Sequence, residues 1–305
     1  MHSDHHHSHM HNHQRTSNRQ SLAIALIITA GIMILEFAGG IMTRSLALLS
    51  DAGHMLSDVA SLALSLIAFW FAARPPSSSK TYGYYRFEIL AALFNGITLF
   101  VIAGFIVWEA VERFLNPAVV KGNMMMLIAV TGLLANLSSA WVLLHKGDTK
   151  DNLNLRSAYL HVLGDALGSL GAIVAGLLIS LFSWNIVDPV VSIVVALIIL
   201  KNAWGVITHS FHILMEGTPV TINHEEVEKK LQGIPGVINV HDLHIWTISS
   251  GLDSLSCHLL VHKDTDHQQI LHTAIQLIEK HFAISHTTIQ IETTDFQHPS
   301  NHVLH

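Results

Sequence analysis

The chain has 305 residues, 50% hydrophobic and 12% charged, whereas an ordinary soluble domain carries about 25% charged residues; this argues against a soluble enzyme. With 16 basic and 22 acidic residues the formal charge is −6, which excludes a large basic surface for nucleic acid. A single cysteine, Cys257, excludes an internal disulfide framework and any multi-cysteine zinc site, so a metal would be held by His, Asp or Glu.

The first predicted element, residues 1–20, is a polar tail carrying His2, His5, His6, His7, His9, His11 and His13. It is not a signal peptide, and its composition is that of a low-affinity metal trap. Six apolar stretches follow, at residues 21–42, 46–73, 87–107, 123–144, 155–182 and 186–207, each near the 20 or so residues needed to cross hydrocarbon. Breaks at Thr43-Arg44, residues 75–79, Asn116-Pro117, residues 146–151 and residues 183–185 separate them. Eight Lys and Arg flank them on one side (Arg15, Arg19, Arg74, Lys80, Arg86, Lys146, Lys150, Arg156) and three on the other (Arg44, Arg113, Lys121). The positive loops stay inside, so both termini are expected in the cytoplasm. The six-helix domain is expected over 21–209. Residues 210–293 change character and predict a small cytoplasmic α+β domain: a helix at 223–232, strands at 237–248 and 252–261, a helix at 267–282 and a strand at 287–292, in the order αββαβ. Residues 294–305 form a tail. From Ser210 onward there are four basic and eleven acidic residues, an excess that serves solubility and could also gather cations.

Chemistry concentrates in two of the apolar stretches. The second contains His54 and Asp58 and the fifth His161 and Asp165. Four residues apart on a helix is one face, so each segment projects an imidazole and a carboxylate together. At 1.5 Å per residue, His54 and Asp58 lie roughly 12 and 18 Å below one surface, and His161 and Asp165 roughly 8 and 14 Å from the other, in a core of about 30 Å. One Asp at the centre of a membrane helix costs about 2.5 to 3.5 kcal/mol even on a lenient scale. A divalent cation held by His54, Asp58, His161 and Asp165 would cancel both carboxylates and use neutral imidazoles as donors. The donors favour Zn²⁺ over Ca²⁺ or Mg²⁺ but admit Cd²⁺, Co²⁺, Fe²⁺ and Ni²⁺. Asp51, one turn before His54, fits two roles equally, orienting an imidazole or marking the outer mouth. Glu36, Asn95 and Asn136 read as packing and hydrogen-bonding residues.

These residues resemble the cation diffusion facilitator family, in its zinc-transporting branch of bacterial-type zinc/proton antiporters. The resemblance is carried by residues 48–58 around Asp51, His54 and Asp58, by Tyr82-Gly83-Tyr84-Tyr85-Arg86-Phe87-Glu88, by His161 to Asp165, by Met215-Glu216-Gly217-Thr218-Pro219 and by His241-Asp242-Leu243-His244-Ile245-Trp246. It implies a homodimer in the cell (inner) membrane, with six transmembrane helices and a metallochaperone-like cytoplasmic domain, that exports Zn²⁺ in exchange for protons. The implied transport ligands are His54, Asp58, His161 and Asp165. A cytoplasmic zinc site is implied at His241, His258 and Glu292, although Gln290 stands where some relatives have a further histidine. Strand alternation places His241 and His244 on opposite faces, and likewise Cys257 and His258, so neither pair is expected to ligate together in a regular strand.

Two other classes compete. An intramembrane zinc hydrolase needs an open coordination position and a base, and the usual His-Glu-x-x-His motif is absent: Met55 and Val162 stand where that Glu would follow the His. A membrane-embedded metal sensor would use the cytoplasmic domain as output, where no signalling motif is found.

Overall fold

Long runs of Leu, Ala and Ile satisfy their backbone polar groups only as helices where water is absent. The computed structural model describes residues 27–72, 77–146, 153–249 and 251–295; for 61–62, 64–66, 68–72, 139–146 and 153–163 this is the helical backbone alone. Among the described residues, six apolar helices come first: α1 (Ile27–Thr43), α2 (Leu46–Ala72), α3 (Arg86–Leu115), α4 (Gly122–Lys146), α5 (Leu153–Phe182) and α6 (Val187–Leu214). The expected tail at 1–20 and the tail from 296 onward lie outside the described residues. Among those described, Arg86–Leu115, Gly164–Phe182 and Val187–Leu214 are long and apolar enough to cross a membrane. Two helices outrun their apolar windows. α3 continues to Leu115 through a Glu109–Arg113 pair at 3.0 Å, one helical turn apart, and α6 continues seven residues beyond Ile207.

The helical bundle inverts the soluble pattern of large residues inside. Ala47, Ala103, Ala110, Ala129, Ala172, Ala175 and Ala196 are buried, while Phe94, Phe105, Trp108, Leu167 and Ile198 face outward. Small residues let helices approach closely where lipid supplies no hydrophobic drive between them. Between α4 and α5 the approach is tight enough that a Cβ on Gly122 would sit 2.7 Å from the Gly176 carbonyl oxygen.

The C-terminal part contains α7 (His224–Gln232), β1 (Val237–Ser249), β2 (Leu252–Val261), α8 (His267–Phe282) and β3 (His286–Thr293), in the order αββαβ. Asn223 and Asp266 cap the two helices, each accepting from two backbone N–H groups of the first turn. The sheet order is β1-β2-β3, with β1 antiparallel and β3 parallel to β2. The α8 crossover is what permits the parallel pair. Val227 and Leu231 of α7, Leu255, Leu259 and Val261 of β2, and Ala274 and Ile278 of α8 form its core. Residues 70–91 belong to this same compact unit: Arg86 pairs with Glu216 at 3.0 Å, Ser249 donates to Glu88 at 3.3 Å, and Tyr82 meets His286 edge-on at 5.7 Å.

Candidate metal centres

In the helical bundle, α2 presents His54 and Asp58 from consecutive turns and α5 presents Asp165. One ligand-capable atom from each of the three lies within 4.8 Å of the others. His54 Nε2 is 3.4 Å from Asp165 Oδ1, and their side chains are 26% and 11% exposed. His161 lies on α5 one turn before Asp165, and its side chain is outside the described residues. Two carboxylates and an imidazole at this spacing form most of a four-coordinate shell of the kind zinc takes.

The start of α2 is fixed by a residue that sequence reading passed over. Asp188, in the first turn of α6, is fully buried. Its carboxylate accepts from Ser45 Oγ at 2.6 Å and from the Leu46 and Ala47 amides at 2.7 and 3.2 Å. It thus caps, from another helix, the free N–H groups that begin α2. Arg113 of α3 lies 3.6 Å away and donates to the Arg44 carbonyl at 2.6 Å. A lone Asp at a helix start gives no sequence sign of this, because the groups it caps are more than 140 residues away. Asn95 donates to Ser57 at 3.4 Å, and Asn136 is buried.

A second cluster lies on the sheet, where one ligand-capable atom from each of His241 of β1, His258 of β2 and Glu292 of β3 lies within 4.8 Å of the others. His258 Nδ1 is 3.0 Å and His241 Nε2 3.4 Å from the Glu292 carboxylate, which is 4% exposed, and the imidazoles meet edge-on at 5.2 Å. Gln290 donates to Glu292 at 2.9 Å. The expected regular alternation fails in β1. Between His241 and His244 the register slips by one residue: His241 faces His258, His244 faces Ser256, and Asp242 between them has a left-handed φ of 51°. This bulge turns His244 to the same face as His241 and His258. Asp242 reaches His244 at 3.0 Å and His258 at 3.7 Å, so it adjoins the cluster, a role its sequence position did not signal. Cys257 points the other way, into the core, where burial pushes its thiol up to about 12.

Residues 22–215 match the family model described as "Cation efflux transmembrane domain", and residues 219–294 that described as "Cation efflux protein, cytoplasmic domain". The chain belongs to the cation efflux family. Family membership makes it a membrane transport protein rather than an enzyme. It is 48% identical over 285 residues, 92% of this chain and 91% of the other, to the "Cadmium, cobalt and zinc/H(+)-K(+) antiporter" of Bacillus subtilis (strain 168). It is 44% identical over 288 residues, 94% and 91% of the two chains, to the "Zinc transporter ZitB" of Escherichia coli (strain K12). Among solved structures it is similar to the "Metal-bound C-terminal domain of the CzcD transporter from Cuprividus metallidurans", at 36% identity and a TM-score of 0.22 over 23% of this chain and 99% of that one.

Proposed function

We propose that this cation efflux protein exports Zn²⁺ from the cytoplasm in exchange for protons by alternating access, with Cd²⁺, Co²⁺, Fe²⁺ or Ni²⁺ as further cargo. The observation that carries the reading is the convergence of His54, Asp58 and Asp165 from two helices inside an apolar bundle, with His161 as the fourth donor. Relatives named for cadmium, cobalt and zinc support the substrate class, and the name of the Bacillus subtilis relative, an H(+)-K(+) antiporter, supports antiport. The chemistry is built into the ligands: zinc needs neutral imidazoles and ionised carboxylates, so metal entry releases protons and proton entry from outside expels metal. Rocking of the helices exposes the site first inward, then outward.

In this reading the membrane domain spans residues 21–209 and the cytoplasmic domain 210–293, both termini lie in the cytoplasm of a cell whose inner membrane holds the protein, and two copies form a homodimer. A second zinc held by His241, His258 and Glu292 is structural or regulatory rather than cargo; its two imidazoles and one carboxylate, already gathered at ligand spacing, fit such an ion. The histidines of residues 2–13 capture zinc when it is scarce. The test is Zn²⁺ flux into proteoliposomes under an imposed pH gradient, for the native chain and for Asp58→Ala and Asp165→Ala. Gradient-dependent flux abolished by either change supports the reading; no flux from a folded, zinc-binding native protein overturns it.

A further inference from the structure

The membrane bundle holds two more carboxyl groups that the zinc site does not use. Glu36 on α1 is 1% exposed and Asp51 on α2 is 7% exposed, and the two carboxyl groups are close enough to interact. Two buried carboxylates side by side repel each other, and a positive charge between them relieves that. The Glu36 carboxyl occupies space left by Gly132 of α4, where a Cβ would collide with its Oε1. The same absent Cβ would lie 3.4 Å from Ser169 Oγ of α5. Asp51 leans on the neighbouring residue of α5, its Oδ1 lying 3.3 Å from where a Cβ on Gly168 would be. Oxygens from three helices therefore border the space beside Gly132 and Gly168. Glu36 Oε2 and the fully buried Ser169 Oγ have no hydrogen-bond partner among the described residues.

Charge and position say what is missing. One Zn²⁺ at His54, Asp58 and Asp165 cancels the two aspartates there and leaves the Glu36–Asp51 pair uncompensated. Among the described residues, the charged groups that act on the pair are His54 and Asp58 of α2 and Asp165 of α5, while α4 approaches Glu36 with Gly132. None is a fixed cation. Glu36 lies seven residues before the end of α1 and Asp51 five after the start of α2, about 10 and 8 Å from the α1–α2 turn, against about 12 and 18 Å for His54 and Asp58. In the orientation given above that turn faces outward.

We propose that Glu36, Asp51 and Ser169 form a counter-cation site, separate from the zinc ligands, that takes one hard positive charge on oxygen, a proton or K⁺, from the outer side as zinc leaves. The inference rests on the antiport reading. It is tested in proteoliposomes by measuring Zn²⁺ flux under a pH gradient and, separately, under a K⁺ gradient, for native protein, Glu36→Gln and Gly132→Ala, with zinc binding to each solubilised full chain measured alongside. The native protein is expected to be accelerated about tenfold or more by at least one gradient. Glu36→Gln is expected to lose that acceleration while its zinc affinity stays within about twofold. Gly132→Ala, which keeps every charge but crowds the Glu36 carboxyl, is expected to lose part of it. The gradient that ceases to act identifies the ion. A Glu36→Gln protein that keeps its full response to both gradients overturns the inference, as does one whose zinc affinity falls together with its flux. Native protein indifferent to both gradients fails earlier, at the exchange reading, and takes this inference with it.

Discussion

The helical bundle and the sheet each gather imidazole and carboxylate within 4.8 Å, yet they are built on different logic. In the bundle, one helix supplies His54 and Asp58 by its own periodicity, and a second helix needs only to lie alongside. On the sheet, each of three strands supplies one donor, and the cluster exists only because β1, β2 and β3 are in register, while the bulge at Asp242 turns His244 to the same face. The bundle site has partly exposed donors and suits a passing ion. The sheet site is anchored on Glu292, which is 4% exposed and already engaged by both histidines and Gln290, and suits an ion that stays.

Function should separate the two most sharply. Asp165→Ala is expected to reduce zinc flux at least about a hundredfold, while His258→Ala leaves the maximal rate within about twofold; equal losses in proteoliposome flux would erase the distinction. Next in size, Asp188→Ala uncaps α2 and removes one of the partners of the half-buried Arg113, at a cost of about 2 kcal/mol in stability, read as a lowered melting temperature of the solubilised chain. A smaller effect is expected at the bulge. Asp242→Val forces a β-branched residue into left-handed backbone, costs about 1–2 kcal/mol, and should loosen zinc at His241, His258 and Glu292 without changing flux; calorimetric titration of the full chain checks this. Smallest is Cys257. Its thiol is held at about 12, so at pH 8 it carries almost no thiolate and should resist alkylation until the protein unfolds. Because burial raises its value, this group leaves stability unchanged at neutral pH and lowers it as pH climbs from about 8.5 toward 12, where the unfolded chain ionises first.

The contrast also explains what was legible in the sequence. Helix spacing is local, so His54, Asp58, His161 and Asp165 stood out from four-residue intervals within apolar runs. The αββαβ order followed from helical spacing and strand alternation. The face of His244 did not, because a one-residue bulge reverses alternation and leaves no mark beyond Asp242 itself. Asp188 was silent for a related reason: its partners Ser45, Leu46 and Arg113 are distant in sequence, and only helix packing brings them together. Glu36 was visible as an oddity, but its neighbours Gly132 and Ser169 carry no chemical signal until α1, α4 and α5 are assembled.

The most direct test of the central claim, that the bundle cluster is the zinc-carrying site, is zinc K-edge absorption with metal counting on the full chain carrying His258→Ala and residues 1–20 removed, so that the sheet cluster and the histidine tail are silent. The account expects one zinc per chain, four-coordinate with nitrogen and oxygen donors at about 2.0 Å, lost when Asp165→Ala is added. One zinc per chain surviving that second change would contradict it.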